Sequence, residues 1–250
     1  MIKIISRCVA ICLFGLFVAI ECACAFPANE QDLKAAIEAA TNGFKDMSAT
    51  VVVREKNKDV LTSVDEGFAR LYDFQSAQIQ VKAPDKIRIE SKLGMVKVEY
   101  IISDGKKIFR APKIKMNKVD DYSNTPAKLQ KPLDFGLVTP QLWEGRRVEI
   151  IDDAEAKANN EIKLKLMWLT GDMVNYAWID AEHYWLKRFE KRDAKDNLIS
   201  RVEYSNPKNL GNVIWLPTKV ELFAPDGEKA GATEFIDIKV NSGLADTIFK

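Results

Sequence analysis

The chain has 250 residues, 47% of them hydrophobic, and its 37 basic and 36 acidic side chains leave a formal net charge of +1. That balance excludes a global electrostatic draw to nucleic acid or anionic lipid. All four cysteines, Cys8, Cys12, Cys22 and Cys24, precede Ala25, so the rest of the chain has no thiolate chemistry, no thiolate metal site and no disulfide.

The first element is an export signal. Lys3 and Arg7 give a positive start, Cys8 to Ile20 form an uncharged apolar stretch, and Ala23-Cys24-Ala25 is a small-residue exit. The stretch is short of the roughly 20 residues that a permanent membrane helix needs. It therefore reads as a signal peptide, residues 1–25, cleaved after Ala25 to leave Phe26 first. The alternative is a lipoprotein signal with Cys22 or Cys24 acylated, although Glu21 stands where such a signal has a small or aliphatic residue. Without residues 1–25 the chain is neutral and long enough to bury a core without disulfides. Residues 26–250 read as one domain, with no linker and no fixed repeat.

A helix follows Pro27, from Gln31 to about Phe44. Leu33, Ala36, Ile37, Ala40, Phe44 and Met47 form one apolar stripe, Asn29 can cap the start, and Gly43 lies near the end. From Ser48 the pattern becomes β, in short runs broken by turn residues about every ten positions. The first runs are Ala49 to Lys56, Gly67 to Lys82, Lys86 to Ser91, Val96 to Ser103 and Lys106 to Ala111. Later come Arg147 to Asp152, Glu161 to Leu169, Asn175 to Asp180, Tyr184 to Arg192, Leu198 to Tyr204, Val213 to Phe223 and Ala232 to Val240. About eleven consecutive strands joined this way predict one antiparallel sheet, strongly curved or nearly closed.

Ile162, Leu164, Leu166 and Trp168 alternate with Lys163 and Lys165, and Ile87 and Ile89 alternate with Arg88 and Glu90, so one face is apolar and one is wet. Tyr100, Trp168, Tyr176, Trp178 and Trp185 are large inward candidates. Thr125 to Gly145 breaks the β pattern: Pro132, Gly136 and Pro140 limit it to short turns, yet Leu129, Leu133, Phe135, Leu137, Val138, Leu142 and Trp143 make it strongly apolar. Such a segment has to bury itself, either as a movable plug of a half-open barrel or as a fixed helical corner.

Catalytic chemistry is sparse. His183 is the lone histidine and sits in a polar turn, and neither a G-x-S-x-G nor a phosphate-loop sequence occurs. Asp120-Asp121 and Asp152-Asp153 are adjacent carboxylates of the kind usually solvated in turns. The chain therefore reads as a non-enzyme with no cofactor and no metal, with a hydrolase using two distant carboxylates as a glycosidase pair left as the catalytic alternative. Arg110, Lys113, Lys115 and Lys118, alternating with Ile114 and Met116, make a local basic strand pair. It reads as a solvated face, and an acidic protein or a lipid headgroup suits it better than nucleic acid.

Taken in order, these features resemble the lipoprotein-carrier family, LolA-like proteins. The resemblance rests on the leading helix ending Phe44-Lys45-Asp46-Met47, on Val81 to Arg88, on Ile102-Ser103-Asp104-Gly105-Lys106-Lys107 and Ala111-Pro112, on Trp178-Ile179-Asp180 with Leu186-Lys187-Arg188, and on the tail Ile238 to Phe249. It implies a mainly β (α+β) fold: a half-open antiparallel barrel of about eleven strands with a helical lid over an apolar cavity. It also implies a monomeric periplasmic carrier of lipoprotein acyl chains or another lipid from inner to outer membrane, between an inner-membrane release complex and an outer-membrane acceptor. The cavity lining would be Ile87, Ile89, Val98, Tyr100, Leu164, Leu166, Trp168, Tyr176 and Trp178. The lid would carry Leu33, Ile37, Phe44, Leu129, Leu133, Leu137 and Trp143. A lid-locking arginine is also implied; Arg88 lies in the matching strand, although alternation turns it away from Ile87 and Ile89. The same scaffold admits a second reading, a non-transporting envelope sensor or regulatory domain that binds a partner protein.

Overall fold

The computed structural model describes residues 26–65, 69, 72–170 and 173–250; the signal segment, residues 1–25, lies outside them. Asn29 caps helix α1 (Glu30–Thr41) by accepting a hydrogen bond from the Asp32 N–H, and Leu33 and Ile37 are its buried residues. The chain then enters strand β1 (Asp46–Lys56), followed by a short helix α2 (Lys58–Val64) whose Asn57 cap accepts from the Val60 N–H. Strands β2 (Ser76–Lys82), β3 (Lys86–Leu93), β4 (Val96–Ser103), β5 (Lys106–Ala111) and β6 (Met116–Asp121) meander outward from β1.

After residues 122–145 come β7 (Arg146–Ile151), β8 (Glu161–Trp168), β9 (Val174–Asp180), β10 (Leu186–Arg192), β11 (Leu198–Leu210), β12 (Ile214–Phe223) and β13 (Lys229–Val240). They meander back until β13 pairs with β1. The result is one 13-stranded sheet with β6 and β7 as its edges. The fold is mainly β, one antiparallel sheet as expected, but with thirteen strands rather than about eleven, and the sheet is not closed.

Three local differences from the sequence reading have clear causes. Of the run Gly67 to Lys82, residues 67, 68, 70 and 71 lie outside the described residues, and strand begins at Ser76, since Ala69 and Tyr72 pack with α2 against Leu222, Ala224 and Ala230. The basic strand pair read around Arg110 to Lys118 corresponds to β5 and the almost wholly exposed edge strand β6, but Lys113 and Ile114 belong to the 3-10 turn Pro112–Ile114 between them rather than to a strand. A five-residue helix, Ala154–Ala158, precedes β8, capped by Asp153 accepting from the Ala156 N–H.

The β1–β13 junction at the centre of the sheet is fixed by a buried carboxylate. Asp46, 3% exposed, accepts from the N–H groups of Ser242 (2.8 Å), Gly243 (3.0 Å) and Leu244 (3.2 Å) and from the Ser242 hydroxyl (3.1 Å). Asn241 closes the other side: its side-chain oxygen accepts from the Lys45 N–H at 2.8 Å and its amide donates to the Gly43 carbonyl at 2.8 Å. Beyond it the tail runs over the outer face, where Lys82 and Lys86 hold Asp246 and depress its carboxyl below the usual range by hydrogen bonding. The closing turn (Asp246–Phe249) buries Phe249 beside β3 and β4, where Ile101 is also buried.

Hydrogen bonds to a charged acceptor contribute more than neutral ones. Asp46→Ala is therefore expected to lower the unfolding free energy by about 3 kcal/mol and to make the tail protease-sensitive. Urea denaturation and limited proteolysis check both.

Candidate functional site

Strand register assigns one face of the sheet to the core. Val148, Leu164 or Leu166, Ala177 and Ile179 line up across β7 to β9, and Ile79, Val81, Ile87 and Ile102 line up across β2 to β4. Onto this inner face pack α1 and the segment 122–145, whose 3-10 turns are Pro126–Lys128, Pro132–Phe135 and Pro140–Trp143. Leu33, Ile37, Leu133 and Leu142 join Ile162, Leu164, Leu166, Ile179 and Leu186 in one buried cluster, with Trp143 packed against it. Phe44, Leu129 and Leu137 join Ile79, Val81, Ile87, Leu216 and Phe235 in a second. Gly136, at φ 80°, lets the segment lie close to β12, since a Cβ there would stand 2.7 Å from Pro217 Cγ.

The covering elements are joined to the sheet in an unusual way. Every hydrogen bond of residues 124–144 among the described residues closes within residues 122–144: Thr125, Lys128, Leu129, Asp134, Gly136, Leu137, Leu142 and Glu144 donate their N–H groups to carbonyls up to five positions earlier. Lys131 N–H donates to Asp134 and the Thr139 hydroxyl to Gln141. Helix α1 likewise bonds only to itself and its cap. Helix α1 is held on the inner face by apolar contact and the segment by apolar contact together with the attraction of Asp134 to Arg146 and Lys191, so neither is tied to it by a directional hydrogen bond among the described residues.

The expected lining residues divide in two. Ile87, Leu164 and Leu166 are fully buried under the covering elements, and Ile89 packs against the same core. Val98 forms a separate small cluster with Phe74 and Ala111, against which Tyr100 and Phe109 pack. Trp168 is inward and buried, with the Arg146 guanidinium 4.1 Å from its ring centre. Tyr176 and Trp178 are corrected to the outer face: they pair across from Lys165 and Lys163, and it is Asn175, Ala177 and Ile179 that point inward. Trp178 is nonetheless only 5% exposed, because Arg188 lies 3.7 Å and Lys163 5.2 Å from its ring. Arg88 is likewise on the outer face, bonded to Glu90 at 2.8 Å and Glu99 at 3.0 Å, so it does not lock the cover.

The inner face also holds polar groups that the sequence reading passed over. Arg146 pairs with Trp168, and Asn175 with Lys191, so Arg146, Asn175 and Lys191 are in phase with the apolar residues. Burial pushes the Arg146 guanidinium below its usual range, against the pull of Asp134 and Glu144. Asp134, on the covering segment, is open to water on one side yet enclosed by protein on the others, and enclosure pushes its carboxyl up while the Lys131 N–H and nearby Arg146 and Lys191 oppose the rise. The phase of Arg146 with Val148 and Ile150 was the available signal.

Catalytic alternatives are occupied otherwise. The His183 ring stacks on Trp215 at 4.2 Å, Asp120 pairs with Lys118, Asp152 with Lys157 and Asp153 with Lys163. Among the described residues no group of three or more His, Cys, Asp or Glu is placed to hold a metal. Where α1, the covering segment and the β2–β3 turn meet there is an open groove of about 540 Å³, lined by Phe44, Glu38, Pro84, Pro132, Pro140 and Gln141 among others.

No family model matches the sequence, and no curated protein matches it. Solved structures do match. A LolA superfamily protein from Nitrosomonas europaea aligns over 89% of this chain and 97% of its own, at 13% identity and a TM-score of 0.56. The fold is LolA-like. A candidate outer membrane lipoprotein-sorting protein domain from Vibrio parahaemolyticus (88% and 95% covered, 12% identity, TM-score 0.57) and a DUF1329 family protein from Desulfovibrio piger (88% and 95%, 12%, 0.55) share it. In this LolA-like chain the inner face is the surface that the covering elements enclose.

Because that cover lacks directional ties to the sheet, it should open without unfolding the sheet. Residues 124–144 are expected to exchange amide protons faster than β1 and β13, and Leu133→Ala to speed exchange in the segment roughly tenfold while leaving β1 and β13 unchanged. Hydrogen exchange read by mass spectrometry checks this.

Proposed function

We propose that this protein is an exported carrier that holds lipoprotein acyl chains, or another lipid, against the inner face of its sheet and moves them between membranes through the periplasm. The observation that carries the reading is that α1 and residues 124–144 make no hydrogen bond to the inner face among the described residues and rest on it mainly through apolar contacts, with the attraction of Asp134 to Arg146 and Lys191 beside them. An acyl chain can replace such contacts without leaving a buried hydrogen-bonding group unpaired, and each buried methylene contributes about 0.8 kcal/mol. Ile87, Ile89, Leu164, Leu166 and Trp168 would receive the chain, with Val98 and Tyr100 extending the surface along β4. Leu33, Ile37, Phe44, Leu129, Leu133, Leu137 and Trp143 would yield their places to it. The fold shared with a LolA superfamily protein supports this reading, as does the signal pattern of residues 1–25.

Protein purified from its producing cells is expected to carry extractable lipid at about one equivalent, by native mass spectrometry followed by solvent extraction. Leu166→Asp should abolish uptake of a fluorescent fatty acyl probe, whereas Trp178→Ala, on the outer face, should leave uptake within about twofold of the parent. A lipid-free protein that takes up no probe would overturn the carrier. The regulatory alternative is favoured by the open, exposed edge strand β6. It requires a stable complex with an envelope protein that survives Leu166→Asp.

A further inference from the structure

The antiparallel register puts the β3–β4, β5–β6 and β8–β9 connections at one rim of the sheet, opposite the end where α1 meets β1. Of the nine exposed large apolar side chains among the described residues, six occupy these connections: Leu93, Met95, Ile114, Met116, Leu169 and Met173. Met95 is 84% and Ile114 55% exposed. Scattered single apolar residues would not concentrate at one rim of a sheet whose core is otherwise closed.

Positive charge is concentrated at the β3–β4 and β5–β6 corner of this rim, away from the acids of its β10–β11 and β12–β13 turns (Asp193, Asp196, Asp226 and Glu228). The sequences of the two neighbouring tips, Ser91-Lys92-Leu93-Gly94-Met95-Val96-Lys97-Val98 and Ala111-Pro112-Lys113-Ile114-Lys115-Met116-Asn117-Lys118, contain five lysines and no acid, in a chain whose overall net charge is +1. Lys97 is bound to Glu90 and Glu99 and Lys118 to Asp120, but Lys92, Lys113 and Lys115 are exposed and make no ion pair among the described residues. Lys115 adopts a left-handed conformation (φ 55°) and donates its N–H to the Pro112 carbonyl, which turns the chain between Ile114 and Met116.

We propose that this rim docks on a membrane surface that carries anionic lipid headgroups. Alternating lysine and large apolar residues on two adjacent hairpin tips match an interface with charge outside and hydrocarbon a few ångströms beneath. Met95, Leu93, Ile114 and Met116 enter the headgroup boundary, while Lys92, Lys113 and Lys115 meet the phosphates. The groove between α1 and the covering segment lies at the opposite end of the strands, so docking leaves it open to water. This binding is independent of whether the inner face holds a lipid.

Protein purified from cells expressing the full chain is tested by flotation with vesicles of phosphatidylcholine alone or with about one third phosphatidylglycerol. The expected result is binding to the anionic vesicles that weakens as salt is raised from 50 to 500 mM, these being chosen conditions on the order of those that separate long from short Debye lengths. Lysines near such a surface contribute about fivefold each in partitioning, so Lys92→Gln with Lys113→Gln and Lys115→Gln should lose ~100-fold. The same change at three exposed lysines toward the opposite end of the strands, Lys34, Lys208 and Lys239, should lose less than about twofold if the rim is the contact. Met95→Ser with Ile114→Ser should weaken binding at every salt concentration. Equal losses in the two lysine triples, equal binding to both vesicle types, or no flotation at all would overturn the proposal, and the last with lipid still extractable from the protein would leave the carrier reading intact.

Discussion

The first and last strands meet in the middle of the sheet, and most of the architecture follows from that pairing. With β1 joined to β13, each half of the chain meanders outward, so the middle of the sequence arrives at the two far edges, β6 and β7. The segment between them has no short route. It has to cross a face of the sheet, and an apolar segment crosses the face where burial stabilises it. The cover over the inner face is thus a consequence of strand order rather than an added element.

Bonding character divides between the two faces. On the outer face the side chains form cross-strand charge ladders, such as Arg88 and Lys97 on Glu90 and Glu99, or Lys219 and Lys229 on Glu221. Such pairs, partly exposed, contribute at most about 1 kcal/mol each but favour one register over its neighbours. The inner face is held to its cover by contacts that have no preferred angle. The geometry of the sheet is thus set without the cover, which is what the proposed carrier would require.

Much of this was legible in the residues. The alternation of Ile162, Leu164, Leu166 and Trp168 against lysines placed that strand correctly, and Pro132, Gly136 and Pro140 marked the covering segment as short turns. Tyr176 and Trp178 misled because large aromatic rings usually mark the core; here Lys163, Arg188 and Arg192 spread over the rings and shield them from water on the outside. Strand β6 showed only as part of a basic strand pair, with its start misplaced, since an edge with both faces wet has no apolar period to mark its bounds. Arg146 was masked by its charge, although its phase with Val148 and Ile150 marks the inward position where its guanidinium lies against Trp168.

The Asp46 clasp also sets an order of events for the nascent chain. Strand β1 begins near the start of the domain, yet its partner strand and the Ser242 to Leu244 backbone that Asp46 binds come almost last in sequence. The central pair closes the longest loop in the molecule, and contacts of such separation form late and slowly. During synthesis or export the first half-sheet therefore waits with one edge of β1 unpaired, and the domain becomes cooperative only when its final strand is delivered. A chain cut short before Val240 would retain most of its strands and lose the seam that makes them one sheet.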